Sequence, residues 1–528
     1  MNRSPHYHII LQVCLGSEHS IAYTFDALEV EAPFVVSLQG IDPRKSHFDR
    51  RELIERLRES IEKSNLTLIS SPAASGKTSL LCMFMEKMHQ HAYFHFFSCQ
   101  GEGVKLSKLL DSAGVHIHAP VHYQRPPQLQ AAPKKMHVII LDDAQVLYDR
   151  DASDWALVIK DFGRAFGQFG CRIIISAVHS LKKTAVSPVG FDDLPRLSRA
   201  DFMLDYNQSL AYLSGEAFGL QQRYQGLTTL KNMIVTQCGG LIGALAISCI
   251  ELNKLFVKST SLLESNVIRH FLSHEMTGRF ERCFGTNSES PMASKYSDFL
   301  DFIFCQDPMY SSSLSGENKN CFKDLEKAGL LAEIDNGPIQ FTSTLAERFY
   351  YEKLFPGRAI HSPPLLSELV RLALSKLSRK LLKTSVHYGD FPKEAVFQHL
   401  FYSALVLSTP ARCSILPELS KSFPPAHVVP GEIDFYLDGD LKWGVELLIH
   451  GDRIGGEHLH RFGPQGKYAL LGAVDYAVID FRSSPTGDVP NIARAEKRYT
   501  VVFKSGDYSS CWFVAGIADA PVRIELAP

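Results

Sequence analysis

The chain has 528 residues, 45% hydrophobic and 21% charged, with a formal net charge of -2. That length exceeds a single core, and the balance is that of a globular protein with three or four domains, not a disordered one. Near-neutral charge excludes a global field toward nucleic acid or membrane, and 11 scattered cysteines without CxxC or zinc spacing exclude a disulfide framework or structural zinc. No stretch reaches the roughly 20 apolar residues of a membrane span, and the N-terminal run "IILQVCLG" is too short for a signal peptide. Residues 1–45 hold alternating apolar stretches, "HIILQV" and "PFVVSLQG", that read as strands. "SHFDRRELIERLRESIEKSN" then has helical spacing, with Leu53, Ile54, Leu57 and Ile61 on one face.

The next segment, "LTLISSPAASGKTSLLCMFMEKM", is an apolar strand, a small-residue loop and an amphipathic helix. Its "SPAASGKT" is a near match to GxxxxGK[ST]. In the loop Pro72-Ala73-Ala74-Ser75-Gly76-Lys77-Thr78-Ser79 the backbone N–H groups after Pro72, with the helix N-terminus, suit phosphate; Pro72 has no N–H to offer. Lys77 reaches the β- and γ-phosphates and the Thr78 hydroxyl binds Mg²⁺. Ser71 stands where the pattern expects glycine, which predicts strain there. About 60 residues on, the strand "HVIILDD" ends in Asp142, placed to hold Mg²⁺, and Asp143, placed to orient an attacking water. The strand "RIIISA" carries Ser176, suited to the γ-phosphate; Arg196 and Arg199 are candidates for an arginine finger. Strand, loop, helix and acidic strand in this order predict a P-loop NTPase domain over 46–285, with a helical extension from about 205. Its parallel sheet is covered by helices on both faces, its cofactors are ATP or GTP with Mg²⁺, and homo-oligomerisation through this domain is a possibility.

Residues 290–355 read as helix, strand, turn at Asn336-Gly337, strand, helix, an order that suits a winged-helix-like linker or a generic helical cap. The third unit, 364–528, opens with one helix, "LSELVRLALSKLSRKLLKTS", and a second, "PKEAVFQHLFYSALVL". In the first, Arg371, Lys376, Arg379, Lys380 and Lys383 form a basic run that serves equally as a phosphate-binding face or a solvated one.

"GEIDFYLDGDLKWGVELLIHG" comes next, two strands around Asp438-Gly439. Antiparallel pairing brings Asp434 close to Glu446, and these carboxylates with the Leu447 carbonyl are hard ligands for Mg²⁺. Together with the preceding helix this is the layout of a PD-(D/E)xK nuclease core, which makes the C-terminal part an α+β restriction-endonuclease-like domain. Leu448 occupies the position of that core's lysine; Lys442, Lys467 and His450, on the Glu446 face, are the substitutes. Glu394 and Gln398 point from the helix toward the same site or form a polar stripe. His458 and Arg461 are further candidates for metal or phosphate contacts.

The blocks "GEIDFYLDGDLKWGVELLIHGDRIGGEHLHRF", "KEAVFQHLFYSAL" and "PAASGKTSLL…VIILDDAQ" together resemble the Crinkler effectors, in the class with a P-loop NTPase, a winged-helix linker and a C-terminal endonuclease-like domain. The resemblance implies secretion into host cells, entry into the nucleus and action on host DNA. It places the phosphate loop at Gly76 to Thr78, the Mg²⁺-binding acid at Asp142 and the nuclease acids at Asp434 and Glu446. The expected activity is that of an NTP-regulated, Mg²⁺-dependent DNA nuclease. The alternatives are a nucleotide-switched DNA-binding effector without catalysis and a signalling ATPase that recruits a partner protein.

Overall fold

The computed structural model describes residues 9–15, 19–24, 46–99, 104–117, 122–125, 134–148, 150–162, 170–179, 194–216, 218–255, 263–284, 293–333, 337–355, 357–386, 391–419, 433–451, 455–489, 495–517 and 519–528. The chain divides into two compact units, 1–203 with 241–243, and 204–240 with 244–528. No helix among the described residues is long and apolar enough to cross a membrane.

The first unit is built on a sheet whose order is His19–Thr24, Ile9–Leu15, Ala92–Ser98, Met136–Asp142, Cys171–Ala177, Leu66–Ser70, Arg196–Leu197. All neighbours run parallel except the first pair. The stretch "PFVVSLQG" lies outside the described residues. The central strands are near-continuous apolar runs because both faces are covered. Leu68, Ile139 and Ile173 enter one core with Trp155, whereas Ile69, Ile140 and Ile174 enter the other with Phe84. The helix Arg51–Lys63 buries Leu53, Ile54, Leu57 and Ile61, each stabilising by roughly 1.5–3 kcal/mol relative to exposure. The helix Lys77–Met88 comes directly after the phosphate loop.

In the second unit, residues 204–240 and 244–284 group with the later part of the chain, whereas the sequence suggests an extension of the first sheet's domain. The reason lies in side-chain contacts that spacing does not reveal. Phe284 meets Phe349 with ring centroids 4.8 Å apart, Arg348 Nη1 donates to Gln237 Oε1 at 3.4 Å, and His274 Nδ1 lies 3.1 Å from Glu352. The helices Ala293–Phe304 and Gly316–Lys327 precede an antiparallel pair, Leu331–Glu333 with Ile339–Phe341, and the helix Thr344–Phe349. Asn336 of the expected turn lies outside the described residues.

A second sheet has the order Ile415–Pro417, Phe435–Leu437, Trp443–Ile449, Asp475–Ser484, Arg498–Lys504, Asp507–Ala515, Val522–Glu525. Its three central strands are parallel and the flanking ones antiparallel. The helix Glu394–Ser408 lies on it, with Phe397 stacked on Phe481 at 4.3 Å. The basic run is not one helix. It breaks into Leu366–Ser375 and Arg379–Thr384, with Ser378 capping the second. The interruption arises from pairing with the chain's end: Ala527 N donates to Leu377 O at 3.0 Å, and Arg379 N donates to Ala527 O at 2.9 Å. Arg371, Arg379, Lys380 and Lys383 stay exposed, but not along one continuous face.

Candidate functional site

The phosphate loop runs from Ser71 to Gly76 and enters its helix at Lys77. The sequence locates strain at Ser71, but Ser71 is not among the residues with positive φ. Ala74 (φ +57) and Gly76 (φ +90) take the left-handed positions instead. For alanine that conformation costs roughly 1–2 kcal/mol. Ser71 is buried, its N–H donating to Ala177 O at 3.2 Å. Pro72, Ala73 and Ser75 complete the loop, and Thr78 and Ser79 lie in the first helical turn.

Lys77 is buried, and its Nζ donates to Ser71 O at 2.7 Å and Pro72 O at 2.9 Å. Burial lowers its proton affinity, opposed by Asp142 and Asp143. Asp142 accepts at both oxygens, from Thr78 Oγ1 at 2.7 Å and Ser176 Oγ at 2.6 Å. Burial raises its carboxyl above the ordinary range, as does Asp143, while Ser176, Thr78 and Lys77 pull it down. Thr78 and Asp142 therefore share one hard-oxygen site beside the loop, and they fit Mg²⁺. Asp143 sits just past the strand end at φ +56, which an aspartate tolerates better than most residues. Gln145, which no sequence motif singles out, accepts from Val178 N at 3.1 Å and so ties the acidic turn to the end of the Ser176 strand.

The loop's shape depends on Gly243. Its N–H donates to Ala74 O at 2.9 Å, and a Cβ there would lie 2.5 Å from both Ala74 Cβ and Ala74 O. We expect Gly243→Ala to distort the loop, weakening nucleotide binding about ten-fold or more and lowering Tm, since overpacking costs about 1–3 kcal/mol. Titration with a fluorescent nucleotide checks this; an unchanged Kd would show that this contact does not set the loop's shape.

The second candidate site is the acid hairpin. Phe435 pairs with Val445 in an antiparallel register, so Asp434 falls opposite Glu446. Both are buried. Asp434 accepts from Leu447 N at 2.6 Å and from Gln398 Nε2 at 2.5 Å. Burial pushes its carboxyl up to about 8, against the Leu447 and Gln398 bonds, and Glu446 and Glu394 add to the rise. Glu394 opens its helix and is exposed along its side chain, but partial desolvation of its carboxyl raises its proton affinity, with His458 opposing and Glu446 reinforcing. Gln398 thus holds Asp434, while Glu394 is coupled electrostatically to both acids.

Glu446 Oε1 receives Arg461 Nη1 at 2.5 Å and Tyr468 Oη at 3.2 Å, with His458 Nδ1 at 2.9 Å. Oε2 is buried without a hydrogen-bond partner. An orphaned carboxylate oxygen beside a carboxyl of raised proton affinity fits a cation. Among the described residues no group of three or more His, Cys, Asp or Glu side chains is arranged to hold a metal. Mg²⁺, however, is commonly held by one or two carboxylates and completed by water.

His450 departs from the face that strand alternation assigns it. The strand ends at Ile449; His450 is exposed at φ +51, with its ring 5.4 Å from Phe391. Lys442 sits in the turn at φ +52. Arg461 and His458, which contact Glu446, come from the helix Gly455–Arg461. Leu448 pairs with Asp480 on the next strand and packs beneath Gly451, whose added Cβ would meet Leu448 Cδ1 at 2.8 Å. Asp480 is itself committed to Arg482 Nε at 2.8 Å and Arg498 Nη2 at 2.6 Å.

A strand between the loop strand and the acid-bearing strand, a parallel sheet sandwiched by two cores, and Lys77, Thr78, Asp142 and Ser176 gathered at one end define the first unit as a P-loop NTPase fold. Solved structures with some similarity include the Walker-type ATPase PABY2304 of Pyrococcus abyssi (16% identity, TM-score 0.39, 59% of this chain and 98% of that one). Others are a variant of Thermotoga maritima RuvB (14%, 0.31, 56% and 93%) and Cdc6p of Pyrobaculum aerophilum (12%, 0.28, 59% and 98%). At these scores the assignment rests on strand order and loop geometry. No family model matches the chain, and no curated protein matches it.

Proposed function

We propose that the chain is an NTP-regulated, Mg²⁺-dependent DNA nuclease, an effector of the Crinkler type that acts on host DNA in the nucleus. One observation carries the nuclease reading: two buried carboxylates oppose each other across a hairpin, one with raised proton affinity and one with an orphaned oxygen. Asp434 and Glu446 would hold Mg²⁺, which would supply an activated water and charge neutralisation at a phosphodiester. Gln398 and the Leu447 N–H keep Asp434 aimed. Arg461, steadied by His458, fixes Glu446 and keeps a permanent positive charge beside the acids. An arginine does not surrender its proton, so it balances developing negative charge. Glu394, with its raised proton affinity, is the group suited to carry a proton.

In the first unit, Lys77 and the loop amides would bind the β- and γ-phosphates of ATP or GTP, and Thr78 and Asp142 would hold Mg²⁺. Asp143 orients water from one methylene further away than a glutamate would, which favours slow turnover and a nucleotide-set state over rapid hydrolysis.

The buried, apolar Leu448 favours a second reading, nucleotide-switched DNA binding without cleavage. Nicking of supercoiled plasmid in Mg²⁺ separates the two. The native chain should nick, and Glu446→Gln should reduce the rate more than about 100-fold. A native chain no faster than Glu446→Gln, with its gel shift intact, establishes the binding-only reading. Absence of any shift at low salt refers the C-terminal domain to a protein partner instead.

A further inference from the structure

We infer that the cavity bordering Asp434 takes a single unstacked nucleobase carrying an exocyclic amino group, an inference that rests on the nuclease reading above. The cavity has a volume of about 440 Å³ and lies wholly within the second unit, where the hairpin and helix of residues 339–347 face the acid-bearing sheet. Gln398 and Asp434 belong both to its lining and to the acid pair. A ligand in the cavity is therefore adjacent to the site proposed to bind the phosphodiester.

One part of the lining is aromatic and fixed in advance. Phe304 and Phe341 stack on each other at 5.5 Å and 18°, and the His399 ring lies 5.2 Å from Phe304. His399 is clamped by Asp301 Oδ1 at 2.8 Å and by Tyr351 Oη at 3.3 Å. Tyr402 lies 3.9 Å from Tyr351. Tyr402 and Tyr351 are buried and back this wall, while Phe304, Phe341 and His399 keep part of their surface exposed and give a base an apolar surface to pack on without a large ordering cost. The volume falls in the range of small-ligand pockets and admits a nucleoside but not a duplex.

Glu347 and Glu418 also line the cavity. Their charge repels phosphate, so the backbone stays outside and the base enters. Carboxylates accept from the exocyclic amino groups of cytosine, adenine and guanine; thymine has none. The substrate this geometry selects is DNA with a base out of the stack, as at a bulge, a mismatch or a single-stranded end, where extrusion costs least. Aromatic rings with carboxylates also suit a small ammonium ion. The shared Asp434 and Gln398 favour the base.

The test uses the full chain with Ca²⁺ in place of Mg²⁺, reading fluorescence anisotropy on short duplexes that are fully paired or carry one bulged cytosine or thymine. The bulged-cytosine duplex should bind about ten-fold tighter than the paired one, with bulged thymine between them. Phe341→Ala should remove the preference for bulges and Glu347→Leu the preference for cytosine. Both should leave paired-duplex affinity within about two-fold, at an unchanged Tm for at least one of them. Equal affinity for all three duplexes in a chain that still nicks plasmid overturns the base pocket and leaves the nuclease reading standing. No binding of any duplex, together with no nicking, ends both. Release of the bulged duplex by tetramethylammonium, but not by sodium at equal ionic strength, reassigns the cavity to an ammonium ligand and overturns the proposal.

Discussion

Replacing Lys77 by methionine should leave the nucleotide-free protein close to native stability and abolish its stabilisation by nucleotide. Lys77 folds back on its own loop, with Nζ bonded to the carbonyls of Ser71 and Pro72. Two such bonds to a charged donor contribute about 1.5–3 kcal/mol each. Against them stands the burial of the ammonium, which lowers its proton affinity and costs several kcal/mol. Methionine fills the same volume, forgoes both terms, and so changes little. With nucleotide the balance is different. The native lysine leaves those carbonyls for phosphate oxygens, and a ligand at about 100 times its Kd adds roughly 2.7 kcal/mol. That corresponds to several degrees in Tm. Thermal melts with and without Mg²⁺-ATP read both arms. If Lys77→Met keeps the nucleotide-induced shift, Lys77 does not bind phosphate in this loop. If the variant melts far below the native chain without nucleotide, the two carbonyl bonds outweigh the buried charge.

What the sequence makes legible is what depends on short range. The loop from Ser71 to Thr78 lies within one strand-to-helix turn, and Asp142 ends a strand whose apolar run is unmistakable, so spacing alone names them. Their meeting with Ser176 results from parallel pairing in the sheet. The opposition of Asp434 and Glu446 is legible for a similar reason: the Asp438-Gly439 turn sets an antiparallel register over a few residues, with Gly439 at φ +80. Alternation carries no further than the strand. At His450 the backbone turns left-handed, and the face assigned by counting in twos is lost.

Long-range placement is what the pattern hides. Arg461 and Tyr468 reach Glu446 from 15 and 22 residues away, after a helix and a turn whose path depends on packing. Gln398, by contrast, reaches Asp434 across 36 residues from a helix already placed on the sheet. The helix break at Ser378 is imposed by Ala527, so no window around residues 366–384 contains its cause. Gln237 and Arg348 are 111 residues apart, and contacts of this kind carry residues 204–240 and 244–284 into the second unit although they come directly after the NTPase sheet in the chain.

The stability of the metal-free protein should fall as pH rises from about 5 to about 8, and Mg²⁺ should oppose that fall. Asp434 is the chief cause, with the buried carboxyl of Asp142 adding in the same direction. The Asp434 carboxyl titrates near 8 in the folded chain against an ordinary 3.8, chiefly because it is buried, with Glu446 and Glu394 adding their charge. Between those values the native state holds a proton that the unfolded chain has released. Unfolding then releases that proton, so each unit of rising pH removes up to roughly 1.4 kcal/mol of stability from this group. Below about pH 4 both states are protonated and the slope vanishes; above about 8 both are ionised and the whole penalty is present. A divalent cation on Asp434 and the orphaned Oε2 of Glu446 favours the ionised form. Its affinity should therefore rise through the same interval, with a proton released on binding. Asp434→Asn, which cannot ionise, should make the slope shallower, melt above the native chain near pH 8, and weaken the response to Mg²⁺, the remainder belonging to Thr78 and Asp142. Melts at several pH values, with and without Mg²⁺, decide the matter. A native slope matching that of Asp434→Asn would remove Asp434 as the titrating group, and a Mg²⁺ response undiminished by the substitution would leave the cation to the Thr78 and Asp142 site alone.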